Sequence, residues 1–142
     1  MRSIGWNSVL TLALMLAVAL ACKFSASTAN ISSLKIGKDK NVSTETNKFG
    51  PRDTVYGVAE ISNAPGKIKV KGRLLADDIE GVQKGPLPGL EDTVELGGSG
   101  TAIFTFSPAS SGWPKGKYKL EVIMLNEQGE QKDQKDSTFT IS

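Results

Sequence analysis

The chain contains no histidine, and among its 142 residues there is a single cysteine, Cys22. Serine and cysteine hydrolases of the Ser-His-Asp and Cys-His kind need an imidazole to move the proton. Zinc and copper sites need imidazole, thiolate or several thioethers. Past Cys22 the sequence holds neither of the first two and only one methionine, Met124, so these chemistries are excluded and no cofactor is expected. A charge excess of one sign is also missing: 17 Lys+Arg stand against 15 Asp+Glu. Only Arg2 precedes Cys22, which leaves 16 against 15 from there on. Nucleic-acid binders concentrate a basic excess on one face, so no nucleic-acid partner is expected. Aromatic residues are 6% of the chain, too few to furnish both a core and the platforms of a sugar-cleaving cleft. Finally, the longest apolar run, Val9 to Ala21, has 13 residues, whereas a membrane-spanning helix needs roughly 20.

That short run has a different use. A weakly basic opening, "MRSIGWNS", followed by "VLTLALMLAVALA", is the pattern of an export signal. Cys22 comes directly after it, behind Val18, Ala19, Leu20 and Ala21. These small and apolar residues ending in Ala-Cys resemble the lipobox of bacterial lipoproteins. The resemblance implies cleavage before Cys22, a diacylglycerol joined to its thiol, and attachment of residues 22–142 to a membrane through that acylated cysteine. Leu is commonest three places before the lipobox cysteine, where Ala19 stands here, with Leu20 one place later. Ala19-Leu20-Ala21 is equally an A-x-A site for ordinary signal peptidase, which would release a soluble periplasmic or secreted protein. Lys23 follows Cys22; by resemblance to enterobacterial lipoproteins, a residue other than Asp there favours the outer membrane, facing the periplasm or the cell surface. The segment "FSASTANISS" has no periodicity and reads as a flexible tether. The expected organisation is a signal over 1–21, lipidated Cys22 with tether over 22–33, and one domain over 34–142.

From Leu34 on, short alternating runs are separated by Gly, Pro, Asn and Asp turns, the pattern of an all-β antiparallel sandwich. "SLKIGK" reads as a first strand and "DTVYGVAEI" as a strand in a sheet interior. In "KIKVKGRLL", Ile68 and Val70 point one way and Lys67, Lys69 and Lys71 the other. "GPLPGLED", with two prolines, reads as a loop or edge crossover. Phe104 and Phe106 share a face, as do Tyr118, Leu120, Val122 and Met124, then Phe139 and Ile141. "EQGEQKDQKDS" is polar throughout and reads as a hairpin tip projecting beyond the core. The stretch "WPKGKYKLEV" is similar to the turn-and-strand segment of immunoglobulin-like and fibronectin type III-like domains of exported bacterial proteins. That resemblance implies a tyrosine corner at Tyr118 and a core-capping role for Trp113.

Candidate functional residues are few. Asp77, Asp78, Glu80, Glu91 and Asp92 are acidic turn clusters without the alternating spacing of a calcium loop. "GGSG" (residues 97–100) lacks the Lys-Ser/Thr ending of a phosphate-binding loop. Lys67, Lys69, Lys71 and Arg73 form a row of one sign and are the candidate contact for an acidic partner or anionic headgroups. The sequence therefore leads to a non-catalytic, membrane-tethered lipoprotein, a binding or accessory module for a protein partner in the bacterial cell envelope.

Overall fold

The computed structural model describes residues 28–142, which form eight strands. Cys22, Lys23 and the expected signal over 1–21 lie outside the described residues. The strands are β1 (Asn30–Gly37), β2 (Lys48–Phe49), β3 (Val55–Ser62), β4 (Ile68–Ile79), β5 (Gly85–Leu96), β6 (Gly100–Phe106), β7 (Gly116–Asn126) and β8 (Gln131–Ile141). They build two sheets, one of order β1-β3-β6 and one of order β2-β8-β7-β4-β5. Pairing is antiparallel except for the two-residue parallel contact of β2 with β8.

Alternation explains how the sheets face each other. In β4, Ile68, Val70, Leu74 and Ala76 are buried, with Lys69, Lys71 and Arg73 on the opposite face. In β7, Tyr118, Leu120, Val122 and Met124 are buried, and Phe104 and Phe106 meet them from β6. Two glycines set the spacing. A Cβ on Gly72 of β4 would stand 2.7 Å from the Phe104 ring, and one on Gly57 of β3 would stand 2.5 Å from Leu120. The sheets thus approach so closely that β6 lies over β4 and β3 over β7.

Three segments differ from the sequence reading. First, β1 begins at Asn30, four residues before the expected domain start at 34. Ile31 is buried in the core, and the register shift between Ile31 and Ser33 breaks the alternation that would have revealed it. Second, the two-proline stretch is a strand, β5, but one at the edge of its sheet, where a missing N–H costs no ladder bond. Third, the polar stretch is no projecting tip. Only 127–130 turn, and β8 runs from Gln131 paired to β7 along its length. Its inward polar residues have partners: Asp133 accepts the Ile31 N–H at 2.8 Å and Lys135 Nζ donates to the Ile31 carbonyl at 3.3 Å. These contacts also put β1 over β8.

Candidate functional site

The described chain begins beside the turns at 63–67, 97–99 and 127–130, because Asn30 pairs with Ser62 while Gly37 pairs with Tyr56. The opposite end carries the loops at 38–54, 80–84 and 107–115, and it is the better-built one. Trp113 is 7% exposed and donates its indole N–H to the Asp53 carbonyl at 2.7 Å. Its ring meets Tyr118 edge-on with centroids 6.1 Å apart; Tyr118 stacks on Phe139 at 5.3 Å, and Phe49 closes the row. The Tyr118 hydroxyl donates to the Pro114 carbonyl four residues upstream, which is the tyrosine-corner arrangement. Burial pushes the Tyr118 phenol pKa upward, so the hydroxyl stays a neutral donor.

Beside this row lies a hollow of about 400 Å³ lined by residues that include Ile79, Val82, Leu87, Leu90, Trp113 and Pro114. The indole N–H and the phenol O–H are already bonded to backbone, so apart from the Ser107 hydroxyl the side chains of the walls offer mainly carbon. Val82, 38% exposed, stands at its rim. Such a surface favours an apolar group.

Asp53 anchors the floor of this end. Its carboxylate accepts the Gly50 N–H at 2.7 Å and faces Lys38 Nζ at 3.3 Å. The Gly50 hydrogen bond holds the Asp53 pKa below the ordinary carboxylate value; desolvation, next in size, opposes it, and the hydrogen bond and charge of Lys38 add lesser lowering effects. A carboxyl whose pKa is lower folded than unfolded adds stability above its unfolded pKa, and that stability is lost as pH falls through the folded value. Urea midpoints measured from about pH 6 down to about pH 2 should therefore decline on the acid side, and the decline should be shallower in Asp53→Asn. An identical acid limb in the variant would assign that limb to other carboxylates.

The basic row is in register but carries its own counter-charges. Lys69 faces Glu95 (3.8 Å) and Lys71 faces Glu91 (3.0 Å), both across the β4–β5 pair. Arg73 places Nε and Nη2 each 2.7 Å from one carboxylate oxygen of Glu121, which is 9% exposed. Only Lys67, before β4, stands apart, at the end where the described chain begins. The acidic clusters do not converge: Asp77 pairs with Lys84 at 3.6 Å, Glu91 is committed to Lys71, and Asp92 accepts the Thr93 N–H. Among the described residues no group of three acids, His or Cys is placed to hold a metal ion.

No family model and no curated protein matches the chain. Solved structures do. A Niemann-Pick type C2 protein from the Japanese carpenter ant is 13% identical with a TM-score of 0.50, over 82% of this chain and 94% of that one. A β-glucosidase from Listeria innocua is 13% identical with a TM-score of 0.51 over 78% of this chain, which spans only 16% of the enzyme. The protein is an all-β, immunoglobulin-like sandwich. At such identities the likeness concerns the fold alone, since sandwiches of this kind host unrelated functions. The sequence reading had named Trp113 and Tyr118 as core residues. It missed the hollow, because Ile79 and Leu87 from β4 and β5 and Val82 from the turn between them meet Trp113 and Pro114 from a distant loop, and no local pattern reveals that proximity. The one available signal was an apolar Val82 in an otherwise polar turn, "EGVQKG".

Proposed function

We propose that this chain is a non-catalytic binding or accessory module, tethered through acylated Cys22 to a membrane of the bacterial cell envelope. The observation that carries this reading is the separation of its two ends: the described chain starts at one end of the sandwich, and the apolar hollow opens at the other. With β1 starting at Asn30, seven residues (23–29) separate Cys22 from the first strand. As the tether expected from the sequence, that length would span about 15 Å on average. The eleven residues of β7 add about 36 Å at 3.3 Å each. An acyl anchor at Cys22 would hold the near end against the headgroups and present the hollow and its loops away from them, toward an envelope protein. Two acyl chains of the diacylglycerol suffice for stable anchoring where one does not.

The alternative is a soluble periplasmic or secreted subunit, produced by cleavage at the A-x-A site without acylation. Intact mass of the protein from the membrane fraction of an expressing bacterium separates the two. A chain starting at Cys22 with acyl mass, lost together with membrane association in Cys22→Ser, is the expected result. A chain starting at Cys22 without added mass would sink the tether.

A further inference from the structure

The three-stranded sheet leaves one strand of its partner uncovered. β1 lies over β8, β3 over β7 and β6 over β4, so β5 extends past the last covering strand. Its inner face shows the consequence. Leu96 and Val94 pair with Ile68 and Val70 of β4 and, with Leu90, lean on the core, yet all three are only partly buried while their β4 partners are buried. By the two-residue alternation the inner face of β5 reads Leu90, Asp92, Val94, Leu96.

The strand beside this vacancy is β6, and its outer edge is free. Every second residue of β6 aims its N–H and C=O away from β3, and no other described segment bonds to them. The edge at β2 is only two residues long, and those at β1 and β5 are protected. β1 has Asp133 and Lys135 on the backbone of Ile31 and Thr46 on that of Ile36, and β5 carries Pro86 and Pro88. β6 reads "GTAIFTF", with no charge and no proline, and Ile103 is 38% exposed on its outer face. Unprotected edges of this composition are templates for another strand.

We propose that a partner protein inserts a short extended segment as the fourth strand of this sheet, antiparallel to β6 and over β5. It deepens the binding-module reading, resting on that reading only for where the partner is met. Seven residues match β6, about 23 Å of strand. The inward positions alternate, apolar over Leu90, basic over Asp92, apolar over Val94 and Leu96. A second copy of this chain pairing through its own β6 does not fit, because its β4 would then lie where β5 stands. The described chain begins at Thr28 beside β1, at the edge of the sheet opposite β6.

The test is titration of a fluorescein-labelled peptide, Val-Thr-Lys-Thr-Val-Thr-Val, into the purified full chain, with hydrogen exchange of the complex. The expected result is saturable binding that slows exchange of the β6 amides. Val94→Lys, at a partly buried site on the uncovered face of β5, should weaken binding at least about tenfold by setting an ammonium under the inserted strand. Asp92→Lys should weaken it too, and should favour a peptide with Glu in place of its Lys. Circular dichroism confirms that both variants fold. No saturable binding, binding without slowed β6 exchange, or binding indifferent to Val94→Lys overturns the proposal. Loss of the acyl anchor would leave this peptide titration unchanged, so the two readings fail separately.

Discussion

Replacing Gly116 by alanine should destabilise the domain by about 3 kcal/mol or more, an outsized effect for one added methyl. Gly116 opens β7 with φ of +149°, a conformation that residues with a Cβ rarely adopt. A Cβ there would meet the Asp78 carbonyl at 2.5 Å and the Ile79 Cα at 2.9 Å, and both are backbone atoms. Neither side can yield cheaply, because Gly116 is paired to Ile79 on β4 and to Ile141 on β8. Thermal unfolding should show a fall in Tm of roughly 10–20 °C for a domain of this size. Gly129→Ala is the control. Gly129 has φ of +80° in the β7–β8 turn with nothing within 4 Å, so it bears only the left-handed penalty of roughly 1–2 kcal/mol. Equal costs at the two sites would mean that the close approach at Gly116 is absorbed by backbone relaxation.

Trp113→Ala should cost about 3–5 kcal/mol, the range for emptying a buried aromatic site. The ring closes the core at the loop end, and its removal takes away the edge-on contact with Tyr118 and widens the neighbouring hollow. It also strips the Asp53 carbonyl of its donor. Trp113→Phe separates these contributions: it keeps an aromatic ring and loses the N–H, and should cost about 1–3 kcal/mol for the unpaired carbonyl. Urea unfolding followed by circular dichroism reads both, since Trp113 is the only tryptophan after residue 27 and fluorescence would vanish with it. If alanine and phenylalanine cost the same, the hydrogen bond and not the packing anchors this end.

The polar row on β4 shows why surface charge read from one strand misleads. Lys69, Lys71 and Arg73 do share a face, as the alternation requires. Their neighbours on that face are Glu95, Glu91 and Glu121, brought in by β5 on one side and β7 on the other. A strand's charge is a local property, whereas a sheet's charge depends on register between segments up to 48 residues apart. In β8 the same non-locality works in reverse. Asp133 and Lys135 look like loop residues until β1 is placed above them and uses both to satisfy Ile31.

Local sequence determined what depends on the two-residue period and on chain stiffness. Alternation in β4, β6 and β7 named the buried face because successive side chains must point to opposite sides of a strand. The prolines of β5 sent it to an edge because they lack the N–H of a central ladder. The Tyr118 corner, implied by the resemblance of "WPKGKYKLEV", is local too, since its hydrogen bond closes within four residues. Tertiary structure alone decided the offset of the sheets: three strands laid over five, with β6 drawn onto β4 by the missing side chain of Gly72. That offset uncovers the inner face of β5 and leaves the β6 edge free. It arises from contacts between residues far apart in the chain, and no local pattern encodes which strand is left without a cover.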